Sequence, residues 1–332
     1  MENRFSFPAT IAEPLPSAGD SPLTNVPPEQ YQTVIYRLPQ AFPPPQFVEV
    51  NRHELTAGRV LWHLTLFALT ALTMGLTGIL IFGSLKSGVI YATSLLAVLT
   101  AHEMGHYIAC RWYGVEATPP YFIPFLIPLP GALQAGTFCA FIKIKSLIPS
   151  RRALFDIGIA GPLAGFAFII PIAFIAHYYA QPWYGSTSGE ATISLQDPLL
   201  FKFLQRVLHL PASLELNPAM FAAWIGALMT SLNLIPVGQL DGGHVTYAVL
   251  GKAGHKIISI SCYLLVVGLA IYGAFHGLWN WVVWLLLLTF LIRAGHPPVI
   301  DEQEPLGAAR VIVAIIGLLV FLLCFMPFPF SL

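Results

Sequence analysis

Residues 88–110 read GVIYATSLLAVLTAHEMGHYIAC and join a membrane-length apolar run to a cluster of ionisable side chains. The run is long enough to cross the roughly 30 Å hydrocarbon layer as a helix. His102, Glu103 and His106 lie near its end, where an ionisable group is costly unless it is paired or binds a metal. This stretch therefore predicts a membrane helix whose ionisable side chains belong to a functional site.

The spacing of the two histidines fits a metal site. On a helix, residues four apart lie on one face, one turn from each other, so His102 and His106 can bind one tetrahedral zinc ion together. Glu103 lies about 100° round the helix from His102 and is the candidate general base toward a water on the metal. The alternative is a structural role, in which neighbouring helices satisfy these side chains.

A zinc site of this type needs a third protein ligand, and residues 233–244, NLIPVGQLDGGH, supply two candidates. Asp241 is the only carboxylate in that apolar run, and His244 is its rival. Because Pro236 removes a helical hydrogen bond, we expect a broken helix where Asp241 turns toward the metal. Asn233 is either a hydrogen-bonding residue for substrate or ligand, or a contact between helices.

The composition places the whole chain in a membrane. Of its 332 residues 56% are apolar and 10% are charged, too few charges to cover a soluble surface. Sixteen basic residues balance sixteen acidic ones, so bulk charge gives no argument for nucleic-acid binding. We predict an all-α polytopic membrane protein with about six to seven transmembrane helices, near 60–82, 88–110, 153–180, 219–244, 257–276, 278–294 and 309–330.

The basic residues predict the orientation of these helices. If the first one runs outward from the cytoplasm, only three of the sixteen basic residues, Lys86, Lys202 and Arg206, lie outside. The second and fourth runs then both end toward the cytoplasm, which brings His106 and Asp241 to the same side. We expect a multi-pass protein of the bacterial inner membrane with a cytoplasmic N-terminus, or alternatively of a plastid membrane.

Proline and glycine mark the segments outside the apolar runs. We expect residues 1–58 to form a Pro-rich, weakly ordered cytoplasmic arm, ahead of a membrane domain over 59–332. Within that domain, residues 117–147 predict a β-hairpin or re-entrant segment packed against the catalytic helices, about 88–110 and 219–244. Gly136, directly before its strand-forming residues, is a candidate for binding substrate or supporting the metal ligands, as are Asn233 and Pro236. Residues 181–218 form the longest external loop.

Two motifs resemble those of the site-2 proteases, which are intramembrane zinc metalloproteases. HEMGH at 102–106 is similar to the family's HExxH helix, and residues 233–242 are similar to its NxxPxxxLDG segment. The resemblance implies that His102, His106 and Asp241 bind one Zn²⁺ and that Glu103 is the catalytic base. Gln239 stands where the family usually has a second proline, and no stretch suits the PDZ domain that some members carry.

The resemblance also implies a reaction and a partner. The substrate would be a single-span membrane protein, of the anti-sigma factor or tethered transcription regulator type, embedded in the same lipid bilayer. Two other classes stay open: a metal-ion transporter, which would need ligands along a pathway, and a non-catalytic membrane scaffold that binds clients.

Overall fold

The computed structural model describes residues 56–126, 134–183, 194–276, 280–294 and 299–331. Nearly all of the expected Pro-rich arm lies outside these described residues. The helices are α1 (Ala57–Phe82), α2 (Leu85–Trp112), α3 (Arg151–Tyr178), α4 (Leu199–Val207), α5 (Pro218–Asn233), α6 (Asp241–Phe275), α7 (Asn280–Ala294) and α8 (Ala308–Cys324).

Among the described residues, six short strands pair outside the helices. They are β1 (Tyr121–Pro124), β2 (Thr137–Phe141), β3 (Ile148–Ser150), β4 (Ser194–Leu195), β5 (Val299–Asp301) and β6 (Phe330–Ser331). The antiparallel pair β1–β2 forms the small sheet that the sequence predicts between α2 and α3. The parallel pair β3–β5 joins the segment before α3 to the segment before α8, and β4–β6 is antiparallel.

Local sequence signals explain where two important helices begin. The Ser150 side chain accepts a hydrogen bond from the backbone N–H of Ala153 and so caps α3. The Asn217 side chain does the same for α5, whose first residue is Pro218. These caps satisfy backbone donors that an N-terminal turn leaves unpaired, so each helix starts at a defined residue.

Among the described residues, four helices are long and apolar enough to cross a membrane: α1, α2, α3 and α6. The prediction of a multi-pass, mostly helical membrane protein with a small sheet is therefore confirmed, but the count of six to seven spanning helices is not. Helices α5, α7 and α8 have 16, 15 and 17 residues, fewer than the roughly 20 that span the hydrocarbon layer.

The fourth apolar run differs from its expected form. Instead of one broken helix over 219–244, α5 ends at Asn233 and Asp241 begins α6, with residues 234–240 between them. Pro236 and the left-handed Gly238, with φ of 57°, account for the complete break. α6 then continues to Phe275 across a kink at Gly251, where the sequence predicts a loop between two runs.

Large apolar side chains pack where α2, α3 and α5 meet. Tyr91, Phe221 and Trp224 are almost fully buried there, and the rings of Tyr91 and Phe221 stack with centroids 5.4 Å apart. Such large buried side chains fill the space between the helices densely, and this packing fixes the relative positions of the helices. This cluster therefore holds α2 in place about three helical turns ahead of His102.

Candidate metal centre

The three side chains that the sequence singles out as ligands meet at one point. The Nε2 atoms of His102 and His106 lie 3.1 Å apart. The Asp241 Oδ2 atom lies 3.2 Å from His102 Nε2 and 3.3 Å from His106 Nε2. Among the described residues, this is the group of three or more His, Cys, Asp or Glu side chains whose ligand atoms converge.

This triangle of donor atoms has the dimensions of a zinc site. Zinc takes nitrogen and carboxylate oxygen ligands at about 2.0–2.2 Å, and ligands on a tetrahedron of that size are about 3.3 Å apart. The observed separations of 3.1, 3.2 and 3.3 Å match that value. Two imidazoles and one carboxylate therefore fit a zinc ion, with the fourth position left for water or substrate.

A backbone carbonyl sets the orientation of one ligand. His106 Nδ1 lies 2.7 Å from the carbonyl oxygen of Ile157 on α3. A carbonyl only accepts hydrogen bonds, so Nδ1 carries the proton and Nε2 keeps its lone pair toward the metal position. Such outer partners fix the ring of a ligating histidine and support metal affinity.

Glycines on α3 make room for both histidines. A Cβ on Gly161 would overlap the imidazole of His106, and a Cβ on Gly165 would lie 3.2 Å from the Cβ of His102. From the other side, a Cβ on Gly105 of α2 would lie 2.5 Å from the carbonyl oxygen of Ala160. The backbones of α2 and α3 therefore approach closely at the metal site, as small residues allow in membrane helices.

Asp241, rather than its rival His244, joins the two histidines. Asp241 is the first residue of α6, so its position depends on the preceding loop. Ser259 Oγ donates a 2.9 Å hydrogen bond to the carbonyl of Pro236, which ties that loop to the later part of α6. The Cβ of His244 instead faces α3, 2.8 Å from where a Cβ on Gly158 would lie.

Glu103 is buried beside the metal position, with 5% of its surface exposed. It faces the hairpin and lies within hydrogen-bonding reach of the Ile142 backbone, directly after β2. Cys139 of β2 is its neighbour. Burial raises the pKa of the Cys139 thiol, and the Glu103 carboxylate raises it further. Cys139 does not belong to the group of converging ligand atoms formed by His102, His106 and Asp241.

Asn233 and Gly136, which the sequence also singles out, lie in different parts of the structure. Asn233 ends α5, and its Nδ2 lies 3.3 Å from His102 Nε2, at the edge of the donor triangle. Gly136 lies away from the ligands, where its carbonyl accepts a 2.6 Å hydrogen bond from Thr73 Oγ1 of α1. A Cβ on Gly136 would lie 2.6 Å from the Cα of Met74, so this glycine holds the hairpin close to α1.

Sequence reasoning missed the residues that position these groups. The carbonyl of Ile157 carries no side-chain signal, and Ser259 is one serine among many. The glycines at 158, 161 and 165 do carry a signal, because positions separated by three and four residues share one helix face. A search for small residues in helical register could have found the face of α3 that contacts the ligands.

Two histidines one helical turn apart, a carboxylate that completes their triangle and an adjacent buried glutamate define a metallopeptidase-type centre within membrane helices. Comparison with known protein families identifies the class of peptidase more narrowly. The model of peptidase family M50 matches residues 90–275, which is more than half of the chain, and the chain belongs to this family of metalloendopeptidases. The resemblance to site-2 proteases is thereby confirmed.

Curated relatives carry names of the same kind. "Probable zinc metalloprotease EGY2, chloroplastic" of Arabidopsis thaliana is 30% identical over 255 residues, which covers 74% of this chain and 43% of the relative. "Probable zinc metalloprotease EGY1, chloroplastic" of the same plant is 29% identical over 250 residues, covering 71% of this chain and 42% of the relative. The chain thus spans less than half the length of these relatives.

One solved structure is similar at low identity. It is the site-2 protease from Methanocaldococcus jannaschii, with a TM-score of 0.38 and 17% sequence identity, covering 73% of this chain and 92% of that one.

Proposed function

We propose that the chain is a zinc-dependent intramembrane endopeptidase. It hydrolyses a peptide bond in or near the transmembrane segment of a membrane-anchored regulatory protein. The observation that carries this proposal is the convergence of His102, His106 and Asp241 beside Glu103, at the end of a membrane-length helix. Membership of family M50 and the zinc in the names of the relatives support both the reaction class and the metal.

The roles of the side chains follow from their positions. His102, His106 and Asp241 would hold the metal, which when bound acidifies a water molecule and polarises the scissile carbonyl. Glu103 accepts the proton of the attacking water and delivers it to the departing amine. Its burial keeps this proton transfer away from bulk water, and its neighbour Ile142 fixes it at the edge of the hairpin.

The hairpin offers a way to hold the substrate. A peptide bond inside a helix is closed to attack, so the substrate segment must unwind before hydrolysis. Among the described strands, β2 pairs with β1 alone, and its end lies beside Glu103. An unwound segment added as a strand along β2 would pass the catalytic base, and Asn233 could hydrogen-bond its backbone near His102.

The partner and location are also proposals. The substrate is a single-span protein of the anti-sigma factor or tethered transcription regulator type, cleaved to release a cytoplasmic domain. The distribution of Lys and Arg supports a cytoplasmic site of water entry in a bacterial plasma membrane. A plastid membrane is the alternative, and the chloroplastic relatives favour it.

The test is cleavage of tagged single-span reporters co-expressed with the wild type, with Glu103→Gln and with Glu215→Gln. Glu215 is an exposed carboxylate far along the chain, so its variant is the matched control. Cleavage by the wild type and the control, absent in Glu103→Gln while all three bind about one zinc, is the expected result.

Other outcomes contradict the proposal. Equal reporter loss with wild type and Glu103→Gln would show that cleavage does not come from this site. Zinc uptake into vesicles that survives Glu103→Gln would favour a transporter instead. Stable client association that is unaffected by removal of zinc would favour a scaffold.

A further inference from the structure

The helix that carries Asp241 is a short, separate segment. α6 is interrupted at Gly251, whose φ of 70° and ψ of −179° are not helical. A Cβ on Gly254 would lie only 2.5 Å from the Cβ of Leu250, so the chain is crowded on one side of the kink. We call residues 241–250, from the proposed zinc ligand to the kink, the ligand helix.

Arg151 of α3 binds the far end of the ligand helix. Its Nε and Nη2 atoms donate hydrogen bonds of 3.1 and 2.7 Å to the carbonyl of Ala248, and Nη2 also lies 3.4 Å from the carbonyl of Val249. The kink deprives carbonyls of the last turn of their usual partners, and a cation is favourable at a helix C-terminus. Arg151 therefore caps the C-terminal end of the ligand helix, although it belongs to α3.

A second attachment comes from the segment before α8. We call residues 299–306 the strap; it begins with β5, which pairs in parallel with β3 just ahead of Arg151. The Tyr247 hydroxyl donates a 2.6 Å hydrogen bond to the Glu302 carboxylate, and Arg151 Nη1 lies 3.3 Å from the Glu302 carbonyl. One strap residue thus contacts both the ligand helix and its cap.

We propose that Arg151 and the Tyr247–Glu302 pair are positioning residues for Asp241. They do not touch the metal site; they fix the axis of the ligand helix, and the inference rests on the proposed zinc-dependent function. Ten helical residues span about 15 Å, so a tilt of about 5° at the kink end moves Asp241 by about 1.3 Å. Zinc ligands must lie within about 0.2 Å of their proper distances, so such a tilt weakens the site.

Arg152 supplies a matched control, because it binds the same strap without touching the ligand helix. Its Nε donates to the carbonyl of Pro305 at 2.8 Å, and Nη1 pairs with Glu304 at 3.0 Å. Replacement of either arginine by glutamine removes one charge and one attachment of the strap. Only the variant of Arg151 also uncaps the ligand helix.

The experiment measures zinc affinity of the full-length protein in detergent by competition with a chromogenic chelator. Arg151→Gln should raise the zinc Kd about tenfold, as loss of an outer partner of a metal site does, whereas Arg152→Gln should stay within about twofold of the wild type. Arg151→Lys, which can still donate to Ala248, should recover part of the affinity. Tyr247→Phe should weaken zinc binding in the same direction.

The outcomes separate this inference from the proposed function. Wild-type zinc affinity in Arg151→Gln, or equal losses in Arg151→Gln and Arg152→Gln, would overturn the positioning role while leaving the protease proposal intact. A folded wild type that binds no zinc would overturn both. If Arg151→Gln does not fold, Tyr247→Phe carries the same test, because it removes a single hydroxyl from a side chain that keeps its ring.

Discussion

Substitution of Gly161 by alanine tests whether the close contact of α2 and α3 maintains the zinc site. The added Cβ would lie 2.5 Å from His106 Cε1 and closer still to Nε2 and Cδ2. Carbon and nitrogen atoms need about 3.5 Å and the nearest atom, Nε2, would lie at 2.1 Å, so the imidazole must move by about 1.4 Å or the helices must separate. Either movement takes Nε2 out of the triangle it forms with His102 and Asp241.

The size of the effect follows from this overlap. Overpacking of a tight interior costs about 1–3 kcal/mol, which corresponds to a rise of about 5-fold to 150-fold in the zinc Kd if the strain is released when His106 leaves the metal. Gly165→Ala should have a smaller effect, because its Cβ would lie 3.2 Å from the Cβ of His102. Alanine favours helix over glycine, so intrinsic propensity acts against the predicted loss.

The assay is zinc competition with a chelator on purified wild type and on three alanine variants, together with thermal unfolding. Gly268→Ala is the control, because a Cβ there meets nothing within 4 Å. The expected order of zinc affinity is wild type and Gly268→Ala first, Gly165→Ala next and Gly161→Ala last. Unchanged zinc affinity in Gly161→Ala, in a preparation whose wild type binds zinc, would show that the close contact of Gly161 with His106 does not maintain the zinc site.

Three further predictions concern other parts of the chain. Asp241→Asn should lose zinc while His244→Gln keeps it, measured by metal content of the purified proteins; the reverse result would make His244 the ligand. Gly136→Ala should lower the melting temperature and reporter cleavage, since φ of 76° and contact with α1 both oppose a side chain, and unaltered values would contradict this. Burial, and then the hydrogen bond to Asp156, raise the pKa of Tyr113, so its contribution to stability is complete below about pH 10 and is lost at higher pH. Tyr113→Phe should therefore reduce the fall in melting temperature as the pH rises above about 10.

Local geometry explains which parts of the site the sequence could predict. The spacing of His102 and His106 is enough to place them one turn apart, because helix geometry depends only on neighbours along the chain. Asp241 and His244 are three residues apart and both lie near the break, so spacing leaves both possible. The choice between them depends on how α6 packs against α3, where the side of His244 faces Gly158.

The helix boundaries are also only partly predictable from the local sequence. Pro236 signals a break, but the sequence does not say whether the chain resumes the same helix or starts another. The sequence predicts a connection between the runs at 219–244 and 257–276, but not that α6 continues through it with a kink at Gly251. Its position is set by partners distant in sequence, Arg151 and Glu302, which hydrogen-bond around the end of the segment.

Under the proposed function, the glycine contacts between α2 and α3 restrict how a substrate segment reaches the metal site. Gly105, Gly161 and Gly165 leave no side-chain layer between the two backbones, so these helices cannot part without breaking the surroundings of both histidines. An incoming segment must therefore pass between other elements. The opening that admits it must leave the contact between α2 and α3 closed. The helix that carries both histidines and the helix packed against it therefore form one fixed side of the entry route.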